Sequence, residues 1–173
     1  PLPHMEPIVN KVAESGIITL NLEQFLPNNM MMFDMKSFLF MELILKEKDF
    51  RAALLTHDWT KYEHKNVYIT CTADAIIPVW AYMLVVSYLQ PFAQKVLLAN
   101  EADAQKIWIL EHIQNTETDM YIDQRIVIKG CGEIEIPNEA YVAITQKLRP
   151  IAKSIMYGEP CSTVPIFKKK KVV

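Results

Sequence analysis

Two stretches decide the fold: NVYITCTADAIIPVWAYMLVVSYLQPFAQKVLLAN, Asn66–Asn100, and RIVIKGCGEIEIPNEAYVAITQKLRPIAKSIMYGE, Arg125–Glu159. They lie 59 residues apart and agree at eight of 35 positions, including Ile77/Ile136, Pro78/Pro137, Ala81/Ala140, Tyr82/Tyr141 and Pro91/Pro150. Chance gives about two such matches, so the stretches read as a duplication. Each opens with a β-branched run (Val67–Thr70; Ile126–Lys129) and a polar turn holding a cysteine. A proline follows at the first helical position, where its missing N–H costs nothing. The helix is interrupted near Pro91 or Pro150, and a second apolar run comes next (Val96–Leu98; Ile155–Tyr157). That is the pattern of a βαβ unit, whose parallel strands need a crossover helix.

Outward from the repeats, Ala102–Gln114 reads as a further helix with Ala104, Ile107, Trp108 and Leu110 toward the sheet. The string from Asn66 to Tyr157 is then β-α-β-α-β-α-β. The fold class it predicts is α/β: a mostly parallel sheet with helices on both faces, built from two related βαβ units plus an N-terminal extension. In the second repeat, the helix from Asn138 to Arg149 is amphipathic, with Ala140, Tyr141, Ile144 and Leu148 on one stripe. Val79–Leu89 is apolar almost all round, so its second face needs a cover, from the N-terminal third or from a second subunit. Met30–Leu45, rich in Met, Phe and Leu, reads as core filler. Ile17–Leu22 reads as a strand, and Asp49–Thr56 as a helix leading through Asp58 into the first repeat.

His4-Met5 has the form of a cloning junction, so residues 1–4 are set aside. Residues 5–167 read as a single domain, comprising the extension 5–60 and the repeats 66–100 and 125–159; 168–173 are a basic tail. At 51% hydrophobic, 22% charged and net charge -2, the 173-residue chain is neither a disordered polyelectrolyte nor a polycation built for nucleic acid. Its longest apolar stretch, Ala75–Val86, is too short for the ~18 residues a bilayer span needs, so no membrane partner is expected. With no signal-like start, the expected compartment is the cytoplasm, where three cysteines stay reduced. Only four glycines are present, in no Gly-x-Gly-x-x-Gly or Walker arrangement, so neither NAD nor ATP is expected.

The three cysteines fall at strand ends. Cys71 ends the first repeat strand, Cys131 follows the second between Gly130 and Gly132, and Cys161 sits in the turn Gly158-Glu159-Pro160-Cys161-Ser162. Sites in open parallel sheets form beyond the carboxyl ends of strands, so all three share one sheet edge. A doubly wound order with the first and third strands adjacent would bring the thiols together. Glycines permit close approach of a ligand, and soft thiolates select zinc, copper(I) or iron–sulfur clusters over hard cations. Asp74 and Glu159 are the nearest candidates for a fourth position, ahead of His57 and His64, and Ser162-Thr163 beside Gly130 and Gly132 could contact a bound group. The 60- and 30-residue spacings match no Cys-x-x-Cys signature, and buried structural cysteines remain the competing reading.

Several segments together resemble an uncharacterised bacterial family, a domain of unknown function, over Met5–Lys170. They are Ile44–Arg51, Cys71-Thr72-Ala73-Asp74-Ala75-Ile76-Ile77-Pro78, Lys129-Gly130-Cys131, and Ser154–Pro165 with its core Tyr157-Gly158-Glu159-Pro160-Cys161-Ser162. The resemblance implies a setting beside the sulfur-mobilisation machinery of iron–sulfur assembly and carries over no catalytic residue. It ranks an iron–sulfur cluster or iron above zinc, and makes iron–sulfur assembly proteins the expected partners. The leading expectation is an accessory protein that binds or passes on iron, sulfur or a cluster through Cys71, Cys131 and Cys161. Two alternatives stand beside it. One is a metal-free interaction module, a homodimer for instance, acting through the Val79–Leu89 helix and the Met-rich segment. The other is an enzyme using a single activated cysteine, Cys131 for preference.

Overall fold

A computed structural model describes residues 10–12, 16–130, 132–159 and 162–170. In chain order the elements are β1 (Asn10–Val12), β2 (Ile17–Asn21), β3 (Met30–Asp34), α1 (Glu47–Thr56), β4 (Asn66–Thr70), α2 (Val79–Leu89), β5 (Lys95–Leu98), α3 (Glu101–Asn115), β6 (Arg125–Lys129), α4 (Asn138–Leu148), β7 (Ser154–Glu159) and β8 (Ser162–Lys168). The fold is α/β with mostly parallel strands. The strands form two sheets, however, where the sequence suggested one: β1-β2-β6-β7-β8 and β3-β4-β5. The chain divides accordingly into two compact units. A continuous unit spans Pro27–Gln105, and a split unit combines the residues up to Leu26 with those from Lys106 onward.

In the continuous unit β3, β4 and β5 are parallel and lie side by side in chain order. The core joins Phe33, Val67 and Ile69 of the sheet to Phe50 and Leu54 of α1 and Ala81, Val85 and Leu89 of α2. All three sheet residues share one face by register. Both helices therefore cover the same face, rather than opposite faces as expected, because successive crossovers of one hand advancing in one direction return on the same side. The split unit repeats the plan. Ile18, Leu20, Ile126, Ile128 and Ile155 meet Ile109 and Ile113 of α3 and Ala140, Ile144 and Leu148 of α4.

The 59-residue correspondence thus reaches back to residue 47. Phe50 and Leu54 stand where Ile109 and Ile113 stand; of the α3 residues the sequence turned toward the sheet, Ala104 and Trp108 are buried and Leu110 packs on the core, whereas Ile107 is 43% exposed. Hydrogen bonds repeat as well: His64 N–H to the Phe92 carbonyl at 3.0 Å matches Asp123 N–H to Ile151 at 2.8 Å, and Gln94 to Lys65 at 2.8 Å matches Lys153 to Gln124 at 2.9 Å. Tyr62 and Tyr121 fall in equivalent 3-10 turns and are both buried. Burial, with Asp58 adding to it, pushes the Tyr62 phenol up to about 12; burial also raises that of Tyr121, against a hydrogen bond from Gln24.

The first strands come from the segment read as an extension. β2 and the turn Leu22–Phe25 resemble β3 and the turn Met35–Phe38 at an offset of 13 residues. Asn21 and Asp34 each cap the turn from the side chain, accepting at 3.0 Å from the N–H two residues on. Of the Met-rich stretch, Phe33 and Met35 are core, whereas Phe40, Met41, Leu43 and Ile44 are exposed. Among the described residues no helix is long and apolar enough to cross a membrane.

The repeat makes the core testable in pairs. Leu54→Ala and Ile113→Ala, equivalent and fully buried, are each expected to cost about 2–5 kcal/mol in urea unfolding, whereas Val142→Ala on the exposed face of α4 should stay within about 0.5 kcal/mol.

Candidate functional site

Parallel pairing brings the carboxyl ends of β2, β6 and β7 to one edge of the five-stranded sheet, with Leu20 beside Ile128 and Ile128 beside Tyr157. Lys129 and Glu159 end adjacent strands there and form an ion pair, Nζ to Oε1 3.4 Å. The turn after β2 delivers Glu23 to the same edge. Its carboxylate lies against Gly132, so that a Cβ at Gly132 would run into it. Glu23 Oε1 is buried and has no hydrogen-bond partner among the described residues. Gly130 is tight for a different neighbour: a Cβ there would collide with the Tyr141 hydroxyl and stand 3.0 Å from Ile136. Close approach, rather than backbone conformation, thus fixes both glycines.

Beside this edge, between α4 and β6, β7 and β8, a cleft of about 320 Å³ is lined by Ile128, Asn138, Tyr141, Thr145, Met156, Tyr157 and Ile166. The rings of Tyr141 and Tyr157 meet edge to face at 5.7 Å. Cys131 and Cys161 lie outside the described residues; their described neighbours Gly130, Gly132, Glu159 and Ser162 all belong to this edge. Ser162 and Thr163 open a strand, paired with Glu159 and Gly158, where the sequence suggested only a turn. The Thr163 hydroxyl points at the Met156 sulfur, 3.7 Å away.

Cys71 sits elsewhere. β4 belongs to the three-stranded sheet, so the one-sheet strand order that would bring its end beside those of β6 and β7 does not occur. The Cys71 thiol donates to the Ala73 carbonyl at 3.5 Å and packs half-buried against the core of its own unit. Burial and then Cys71 raise the phenol of Tyr82, the repeat equivalent of the Tyr141 that lies over Gly130. Asp74 lines a shallow hollow of about 450 Å³ with Leu43, Ile44, Leu45, Ala75, Ile76 and Pro78. His57 lies among Phe33, Phe38, Trp59 and Tyr62, with Nε2 3.2 Å from the Tyr62 hydroxyl. Burial and then the Lys61 charge push its imidazole below the ordinary 6.5, against Asp58, and the ring is half-buried among these aromatics. Asp58 itself accepts from Thr60 N–H at 3.0 Å, while the cap position of the turn Thr60–Tyr62 falls on Trp59. His64 is exposed at a positive φ. Among the described residues no group of three or more His, Cys, Asp or Glu side chains is placed to hold a metal ion.

The continuous unit shows what the same turn does with threonine at the position of Cys131. Its equivalent of Cys131 is Thr72, whose N–H and hydroxyl donate to Asp34 at 3.0 and 2.5 Å, tying the end of β3 to the loop after β4. In the split unit Asn21 replaces Asp34, and the carboxylate comes two residues later, from Glu23. Sequence reasoning missed Glu23; the only signal was the weak 13-residue likeness of Ile17–Leu26 to Met30–Leu39, which marks the residue after the cap as the start of a turn at the sheet edge.

A family model described as a protein of unknown function (DUF2480) matches residues 6–169. No curated protein and no solved structure matches the chain.

Burial raises the Asp34 carboxyl, but the Thr72 hydroxyl, two N–H donors and the Lys36 charge outweigh it and hold the group below its ordinary 3.8. A depressed folded-state value means stability that is present above the unfolded pKa and lost as pH falls through the folded one. Asp34→Asn should therefore lower the unfolding midpoint at neutral pH, and its deficit against the parent should shrink steadily below about pH 4. A deficit independent of pH would assign the effect to packing instead.

Proposed function

We propose that this chain, which belongs to the DUF2480 family, is an accessory protein that binds iron or an iron–sulfur cluster at the β2-β6-β7 edge of its five-stranded sheet. Cys131 and Cys161 would supply thiolates and Glu23 a carboxylate oxygen. The observation that carries the reading is Glu23 Oε1, a buried acceptor without a partner among the described residues and pressed on a glycine beside a cysteine. A buried, unpaired carboxylate oxygen is costly unless a cation or a donor meets it. Thiolates with a carboxylate suit iron or zinc, and the segments around Cys131 and Cys161 are those whose resemblance implied a setting beside iron–sulfur assembly in bacteria. When bound, the group would supply soft Lewis-acid or redox chemistry. The chain's own residues hold the edge in shape: Gly132 leaves room for Glu23, Asn21 fixes the turn that delivers it, and Lys129 engages Glu159. Cys71 stands apart in this reading, because its thiol is already hydrogen bonded and packed on the core of the other unit.

The test is iron and sulfide analysis with a visible spectrum, on protein purified without oxygen and without a metal-affinity tag. Near-stoichiometric iron is expected, lost in Cys131→Ser and Cys161→Ser, weakened about tenfold or more in Glu23→Gln, and unchanged in Cys71→Ser. Absence of metal after reconstitution with iron and sulfide, or serine variants that bind as the parent does, would overturn the proposal. Zinc alone would keep the site and reject the cluster.

A further inference from the structure

The two units contain the same three-stranded parallel core, and they differ at its edges. In the split unit β1 pairs antiparallel with the outer edge of β2, and β8 pairs antiparallel with the outer edge of β7. In the continuous unit no strand among the described residues pairs with the outer edge of β3 or β5. β5 is the repeat equivalent of β7, so the fold itself shows what this edge accepts: an antiparallel strand. The usual protections of a bare edge are sparse on β5, whose four residues carry one lysine, no proline and an end residue, Leu98, that is 61% exposed.

The neighbouring helix carries the second observation. α2 packs against β5 as the crossover that leads into it. Its outward positions Val79 and Met83 are 73% and 67% exposed, and its eleven residues include no charge. α4 is the internal control. Occupying the same place in the same fold, it has Asn138 where α2 has the exposed Val79 and Thr145 where α2 has the exposed Val86, while Val142 stands for Met83. The fold does not require a wholly apolar outer face on this helix, so the additional apolarity of α2 serves something outside the unit.

We infer that the β5 edge and the outer face of α2 form a homodimer interface, in which β5 pairs antiparallel with β5 of a second copy and joins two three-stranded sheets into one of six. An antiparallel pair centred between Val96 and Leu97 sets Lys95 opposite Leu98 of the second copy, so the single charge on each strand never meets its like. The arrangement is self-complementary, as a two-fold interface must be. It also flanks the two-fold axis with two uncharged α2 helices, which favours a second copy of this chain over a charged partner peptide. This inference is independent of the thiol site.

Sedimentation equilibrium of the full chain tests it. The parent should be dimeric, and Leu98→Lys, which sets like charges opposite each other twice across the axis, should weaken the dimer about tenfold or more while circular dichroism stays unchanged. Adding Lys95→Glu to Leu98→Lys should restore it, since opposite charges then face each other. Met83→Glu should dissociate the dimer, and Val142→Glu, its repeat equivalent on α4, should not. A monomeric parent at every concentration would overturn the inference, as would a dimer indifferent to Leu98→Lys.

Discussion

Burial of the two central strands is the constraint on which both units depend. Val67, Tyr68 and Ile69 of β4, like Ile126, Val127 and Ile128 of β6, are buried at consecutive positions and therefore on both faces of their sheets. A strand in that situation can pair only with neighbours that are themselves anchored, and parallel neighbours require crossovers. Leu54 and Ile113, Val85 and Ile144, Leu89 and Leu148 then sit where they do because each crossover must return its apolar stripe to the same face. Even the proline before each second helix and the tight loop after it follow, since both repeats close with the same bonds, from residue 93 to 89 and from 152 to 148.

The parts of this plan that could be read in the sequence are those where the duplication is strong. Residues 66–100 and 125–159 share enough identities to expose strand, helix and strand. Before residue 66 the correspondence survives in Tyr62 for Tyr121 and otherwise only in apolar type, Phe50 for Ile109 and Leu54 for Ile113, and along α3 the sequence adds the exposed Ile107 to the buried Ala104 and Trp108. Ile17–Leu22 reads as a strand from its own apolar run, but its pairing does not, because Ile17–Asn21 and Met30–Asp34 lie together at the start of the chain while the halves they complete lie far apart. β8 was hidden by composition: Pro165 and the lysine run argue against a central strand, yet both are tolerated on an edge.

The site divides along the same line. Cysteines at strand ends announce themselves by type, and the β6-β7 pairing keeps Lys129, Gly130 and Glu159 on one edge. The place of Cys71 depended on which sheet β4 joins, which no local pattern records. Glu23 was invisible for another reason. Within Leu22-Glu23-Gln24-Phe25 it looks like a solvated turn residue, and its burial comes from the missing side chain of Gly132, more than a hundred residues away.

The nesting of the units bears on synthesis. Everything the three-stranded sheet needs lies between residues 27 and 105, so that sheet can close while the rest of the chain is still being made. β2 leaves the ribosome earlier but must wait for β6, roughly a hundred residues downstream, before it has a parallel partner. During that interval Ile17–Phe25 is an orphaned apolar segment next to an already folded neighbour. The antiparallel strand β1, a few residues upstream of β2, is the one pairing in that sheet available before the later strands exist.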